Sequence, residues 1–151
     1  MITVQEESFV GLQGEVDALL KAHWLEVANY KESIPLEPDW ARYSGLEANG
    51  DLVCLTARLD GVLIGYSVFL LYNHLHYAST RCACNDIIYV TPTQRGTGAG
   101  LKLIKNSEKY LKALGVKRVN WHVKPIKDFT PILKRLGYIQ EEVVMGKYIG
   151  E

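Results

Sequence analysis

The chain has 151 residues, 48% of them hydrophobic, which suits one domain spanning residues 1–151 with its own core. Seventeen basic residues offset seventeen acidic ones, which argues against a nucleic-acid or membrane partner gripped by bulk charge. Three cysteines form no disulfide framework, no apolar run approaches the ~18–20 residues of a membrane span, and no charged-then-apolar leader is present, so the expected compartment is a reducing cytoplasm.

In chain order, weak alternation over Ile2 to Glu6 predicts a short strand. Val16, Leu19, Leu20, His23, Trp24 and Val27 recur at helical spacing and predict an amphipathic helix ending near Asn29. The stretch KESIPLEPDWARYSGLEANG reads as a loop with two prolines, a short helix capped by Asp39, and a turn at Asn49 and Gly50. Two β-rich runs, DLVCLTARL and VLIGYSVFLLY, flank Asp60 and Gly61, a hairpin signal that predicts antiparallel pairing. The polar NHLHYASTR leads into CACNDIIYV, a third strand that Pro92 ends. Leu101, Ile104, Leu111 and Leu114 then recur helically up to Gly115, a residue suited to the left-handed position after a helix. VKRVNWHV reads as another strand. Asp128 is placed to cap a helix carrying Phe129, Ile132, Leu133 and Leu136, which Gly137 stops, and the remainder to Ile149 reads as one or two closing strands. The order predicts an α/β (α+β) fold with helices on the faces of a mixed sheet.

The glycines at 96, 98 and 100 stand between the third strand and a helix start. Glycine permits positive φ and close approach, and a helix N-terminus presents unpaired amides to an anion. The nucleotide P-loop is excluded, because Leu101 and Lys102 follow Gly100 where Lys and Ser or Thr are required. The dinucleotide fingerprint has a different glycine spacing and an earlier place in the chain.

Arg95-x-x-Gly98-x-Gly100, directly after a strand ending Ile88-Tyr89-Val90-Thr91-Pro92, resembles the acetyl-CoA pyrophosphate loop of the GNAT superfamily of N-acyltransferases. The Val-x-Pro lead-in, the following helix, VNWHV and the late LKRLGY fall in that family's order over nearly the whole chain. More loosely, the chain resembles small phage- or bacterium-encoded members. The resemblance implies the GNAT acyl-CoA N-acyltransferase fold, a mixed, mostly antiparallel sheet flanked by about four helices. It implies acetyl-CoA as co-substrate and no metal. Backbone groups of Ile88, Tyr89 and Val90 are expected to hold the pantetheine arm and acetyl carbonyl. Arg95 and the amides of Gly96, Thr97, Gly98, Ala99, Gly100 and Leu101 are expected at the pyrophosphate. Lys102 and Lys105 lie within reach of the ribose phosphate, whereas Lys109 and Lys112 continue as a solvated stripe.

Acetylating an amine requires the free base, and deprotonating a lysine-like amine near pH 7 costs roughly 4–5 kcal/mol. Asp86 and His122 are the candidate catalytic residues. Strand parity groups Asp86 with Ile88 and Val90, and by resemblance it matches an acidic position of some members. His122, in Trp121-His122-Val123, aligns by resemblance with a strand site that holds a catalytic glutamate elsewhere. Cys84 is expected to be half-buried and inert. Many members carry a thiolate-protonating tyrosine where this chain has Leu133, which leaves Tyr138, Tyr148, Tyr110 or water as substitutes. His74-x-His76 and Cys82-x-Cys84 lack the usual zinc spacing. Trp24, Tyr30, Trp40 and Tyr43 are candidates for an acceptor pocket near the first helices, with Trp24 expected rather in the core.

The expected reaction is direct attack of a small-molecule or protein amine on acetyl-CoA in a ternary complex, since no cysteine has a nucleophile's setting. The alternatives are a longer acyl-CoA donor and a catalytically silent acyl-CoA-binding module. The family also implies a homodimer formed through the last strands.

Overall fold

A computed structural model describes residues 1–151. Strand β1 (Ile2–Glu6) leads through a short turn into helix α1 (Gln13–Val27), followed by α2 (Trp40–Ala48). Three consecutive strands come next, β2 (Leu52–Leu59), β3 (Val62–Asn73) and β4 (Arg81–Val90). Helix α3 (Ala99–Ala113), strand β5 (Arg118–Asn120) and helix α4 (Thr130–Arg135) complete the regular structure. The sheet runs β1-β2-β3-β4-β5, antiparallel throughout except for the parallel β4–β5 pair.

Local chemistry accounts for most of these boundaries. Asp60 and Gly61 both take positive φ, 49° and 86°, as a two-residue turn between right-twisted strands demands. Asp39 caps α2 by accepting the Arg42 amide at 3.0 Å, and Asp128 accepts that of Thr130 at 2.9 Å ahead of α4. Glu47, at the end of α2, accepts the Phe9 amide at 2.8 Å and the Ser8 hydroxyl at 2.5 Å, so α2 fixes the entry to α1. Arg58 clamps both Glu7 and Glu15, tying β2 to the β1–α1 connection and to the first turn of α1.

The sheet buries both faces. On one, Phe9, Leu12, Val16 and Leu20 pack against Tyr66, Val68, Ile87 and Tyr89; on the other, Ala99, Leu103 and Leu111 of α3 pack against Val53, Leu55, Phe69 and Leu71. Gly65 is required where β3 meets β4, since a Cβ there would lie 2.7 Å from the Tyr89 carbonyl oxygen.

Two features of β4 position everything that follows. The β3–β4 register shifts so that Val68 faces Ile87 and Phe69 faces Asn85, leaving Asp86 as the extra residue of a bulge. On the other edge, β4 pairs with β5 only over Cys82 to Cys84. Beyond that the Asn85 side chain takes over: its oxygen accepts the His122 amide at 2.5 Å and its nitrogen donates to the His122 carbonyl at 3.4 Å. One side-chain amide thus stands in for a backbone peptide where the strands part.

That parting corrects the expected strand VKRVNWHV, of which only Arg118–Asn120 is laddered. The closing strands expected up to Ile149 do not form either; residues 138–151 carry no regular structure. β5 offers only three residues as a template, and Glu141 binds the Arg118 and Asn120 side chains along it instead of adding a ladder.

Candidate functional site

The loop after β4 is built around two left-handed glycines, Gly96 (φ 86°) and Gly98 (φ 88°). Gly100, expected to need positive φ as well, does not; it lies inside the first turn of α3, and a Cβ there would meet Val90 at an ordinary 4.0 Å. The Thr97 hydroxyl donates to the Gln94 carbonyl at 2.6 Å and steadies the turn. The first backbone bond of α3 is Lys102 N–H to Gly98 at 3.0 Å, so six consecutive amides, Gly96 to Leu101, donate to nothing within the protein. Together with the positive end of the α3 dipole they form an anion cradle.

The open edge of β4 has a matching alternation. Thr91 donates to Ile64, and Tyr89 lies opposite Tyr66 in the same register. In an antiparallel ladder that directs the Tyr89 peptide groups to β3 and those of Ile88 and Val90 outward, into the gap where β5 has left. The expectation for Ile88, Tyr89 and Val90 therefore narrows to the backbones of Ile88 and Val90. The Tyr89 ring serves instead as packing, 5.1 Å from that of His23 and under the Arg95 guanidinium at 5.5 Å.

Arg95 braces the loop. Its Nε donates to the Val90 carbonyl at 2.9 Å, and its terminal nitrogen pairs with Glu26 of α1 at 3.0 Å. Lys102 reaches the Ile2 carbonyl at 2.8 Å, toward β1. Lys105 and Arg135 line a groove of about 280 Å³ between α3 and α4, with Leu101, Ile132 and Leu136 as its apolar members. Lys109 and Lys112 are exposed, as a solvated stripe should be.

On the α1–α2 side of the sheet lies a second cavity, of about 550 Å³, between the end of α1, the 28–38 segment and β4. Asp86 opens into it, and this corrects the parity expectation: the bulge turns the carboxylate toward α2, where the Tyr43 hydroxyl donates to it at 2.5 Å. Burial, and then the Asp86 carboxylate, raise the Tyr43 phenol, so its proton stays on the donor oxygen. No basic side chain pairs with Asp86. Trp24, expected in the core, is half-buried and lines the cavity, because only Val16 and Leu20 of α1 are fully covered by the sheet. Trp40 stacks on Phe9 at 5.2 Å and belongs to the core margin instead.

His23 also lines this cavity. Burial lowers its pKa below the ordinary 6.5; Glu26 opposes that shift, while Lys124 and Arg95 add to it. The sequence pattern absorbed His23 into the apolar stripe of α1. A titratable ring inside such a stripe was the available signal, and only the neighbouring strand shows what it faces.

The imidazole of His122 is exposed and does not line the cavity; its backbone, held by Asn85, is the part built into the site. Leu133 is buried. Tyr138 donates to Glu108 at 2.6 Å, and burial followed by that bond pushes its phenol up to about 12. Burial, then Asp86, raises the half-buried Cys84 thiol, as an inert cysteine requires. His74 meets His76 edge-on and packs against Tyr77 in the β3–β4 connection, and these histidines do not converge with Cys82 and Cys84.

Comparison with known proteins agrees with this fold. The sequence profile of the acetyltransferase (GNAT) family matches residues 19–129. No curated protein sequence matches the chain. Among solved structures, an aminoglycoside acetyltransferase from an uncultured soil metagenomic sample, in complex with sisomicin, superposes with a TM-score of 0.73 at 16% identity, over 99% of this chain and 97% of that one. A predicted acetyltransferase from Clostridium acetobutylicum with acetyl-CoA gives 0.73 at 14% identity, over 99% and 97%. Glucosamine-6-phosphate N-acetyltransferase from Arabidopsis thaliana gives 0.74 at 12%, over 99% of each chain. At these identities the superpositions speak for the fold.

Proposed function

The chain belongs to the GNAT family of acetyltransferases, and from that premise we propose that it transfers the acetyl group of acetyl-CoA to a primary amine by direct attack, with both substrates bound together. The observation that carries this reading is the run of six unpartnered amides, Gly96 to Leu101, beside the open edge of β4. A diphosphate fits the first and an extended, amide-bearing arm fits the second. The Lys105–Arg135 groove beyond the loop suits the phosphorylated nucleotide end of the same molecule.

Acetyl-CoA supplies the thioester whose carbonyl carbon the amine attacks; the C–N bond forms and the C–S bond breaks. The chain's residues position the partners and move the proton. An outward amide of β4, from Ile88 or Val90, is aimed to receive the developing oxyanion. His23, neutral at pH 7 because its pKa is lowered, takes the proton from the ammonium, and Asp86 holds that ammonium in the cavity. His122 acts through its backbone alone. With Leu133 buried, the thiolate departs without a tyrosine donor at that position, which the ordinary acidity of a thiol (pKa about 8.5 for cysteine) allows.

Incubation with acetyl-CoA and a panel of amines, followed by free-thiol release, tests the reading, with calorimetry of coenzyme A binding alongside. Thiol release that depends on amine supports it. Binding without turnover identifies a silent module instead, and no binding to the folded protein removes the assignment altogether.

A further inference from the structure

The α1–α2 cavity has a composition that selects among amines. Its side chains carry two carboxylates, Asp86 and Glu37, against one ammonium, Lys124, so with His23 neutral one negative charge is left over. The Lys124 ammonium is already held by the Val27 carbonyl at 3.2 Å. Asp86 has the Tyr43 hydroxyl and no cation. Much of the remaining lining is apolar: Trp24 and Val27 from α1, then Ile34, Pro35 and Leu36 from the following segment. Ile34 and Leu36, 48% and 38% exposed, leave apolar surface open to this cavity. The volume, about 550 Å³, is that of a small-molecule site.

Resting on the acetyl-transfer reading above, we propose that the acceptor is a small monocationic amine whose ammonium is held by Asp86 and whose aromatic or branched aliphatic body lies against Trp24 and the Ile34–Leu36 wall. A polycation such as the sisomicin bound by the metagenomic relative would need several free carboxylates, and this cavity has one negative charge left over. A polar-bodied amine would leave the apolar wall wet. Tyr43 is the positioning residue: its hydroxyl fixes the carboxylate and, by donating, leaves the other oxygen to the ammonium.

The test compares 2-phenylethylamine and 3-methylbutylamine with ethanolamine, spermidine, sisomicin and a short peptide with an N-terminal leucine. The two apolar-bodied amines are expected to exceed the rest in kcat/KM by at least about tenfold, the discrimination a filled apolar pocket supplies. Asp86→Asn raises KM for 2-phenylethylamine about tenfold or more with the KM for acetyl-CoA unchanged. Trp24→Ala brings the ratio of 2-phenylethylamine to ethanolamine toward one. Preference for spermidine, sisomicin, ethanolamine or the peptide overturns the proposal, as does an amine KM indifferent to Asp86→Asn. Calorimetry of the same amines separates the two readings. Acetyl transfer fails if no amine releases thiol, whereas the monocation proposal fails if 2-phenylethylamine binds no more tightly than spermidine and ethanolamine.

Discussion

The two sides of β4 are built by different means. Toward α3 the donors are backbone: six amides in a row, two left-handed glycines and an open strand edge, with the side chains largely turned to internal bracing, as Arg95 and Lys102 are. Toward α1 and α2 the site is all side chain, drawn from α1, the 28–38 segment, α2, β4 and Lys124, with a carboxylate, an imidazole and an apolar wall lining one cavity. A main-chain cradle recognises what every acyl-CoA shares and tolerates any residue whose φ fits. A side-chain cavity recognises one acceptor and changes with each substitution. The bulge at Asp86 connects the two, since it turns one residue of the strand to the α1–α2 cavity while Ile88 and Val90 keep their peptide groups on the open edge.

The sharpest way to break this contrast is Gly98→Val. At φ 88° a side chain costs about 1–2 kcal/mol, and a β-branched one more. If the loop shifts, the cradle loses several charge-assisted bonds of roughly 1.5–3 kcal/mol each. Losing two weakens coenzyme A binding by about 10² to 10⁴-fold. Calorimetry should show that loss while the amine cavity still binds 2-phenylethylamine; equal loss of both would mean the two sides are not separate.

Next in size, His23→Gln should lower kcat/KM about a hundredfold, the usual worth of a positioned base, with coenzyme A affinity unchanged. Because the folded pKa is lowered, neutral His23 persists below the ordinary 6.5. The acid limb that this base contributes to the pH–rate profile therefore lies below pH 6.5, and it should vanish in the variant. Glu26, Lys124 and Arg95 are the charges that set it. An unchanged acid limb would return the base to Asp86.

A third substitution acts on the hinge between the two sides. Asn85→Ala leaves the His122 amide and carbonyl without partners at the point where β4 and β5 separate, at a cost of about 1–3 kcal/mol. For a chain of this size that is roughly 2–4 °C per kcal/mol in thermal midpoint. Calorimetric melting checks the stability, and a raised KM for acetyl-CoA checks that the gap has closed or frayed.

What the sequence disclosed follows the same division. Period and punctuation gave the helices and the first four strands, and the glycine loop announced itself because backbone sites demand particular residues at fixed spacing. The α1–α2 side left a fainter trace, in the aromatics Tyr30 and Tyr43 that line its cavity. His23 looked like one more position of an apolar stripe, and Trp24 like core, because the pattern along a helix does not say how far the sheet beneath it extends. A bulge cannot be read from alternation, so the Asp86 side chain faces α2 instead of sharing the parity of Ile88 and Val90. The over-long fifth strand and the absent closing strands have a common cause: whether a β-prone run pairs depends on a template, and Asn85 and the three-residue β5 limit the one available.

The smallest expected effect concerns which lysine serves the nucleotide end. Both Lys102 and Lys105 follow the glycine loop, and helical spacing alone does not separate them. In the fold Lys102 spans to the Ile2 carbonyl and so ties α3 to β1, whereas Lys105 faces the α3–α4 groove with Arg135. An exposed charge pair contributes about 0.2–1 kcal/mol. Lys105→Ala should therefore raise the KM for acetyl-CoA by only a few-fold, more at low salt than at high, because screening weakens what little the pair adds. Lys102→Ala should shift the thermal midpoint slightly and leave that salt dependence as it was. Repeating the assay with the acetyl thioester of dephospho-coenzyme A, which lacks the 3′-phosphate, should abolish the Lys105 effect. If the Lys102 variant is the one that becomes indifferent to that phosphate, the nucleotide lies on the β1 side of α3 and the groove has another occupant.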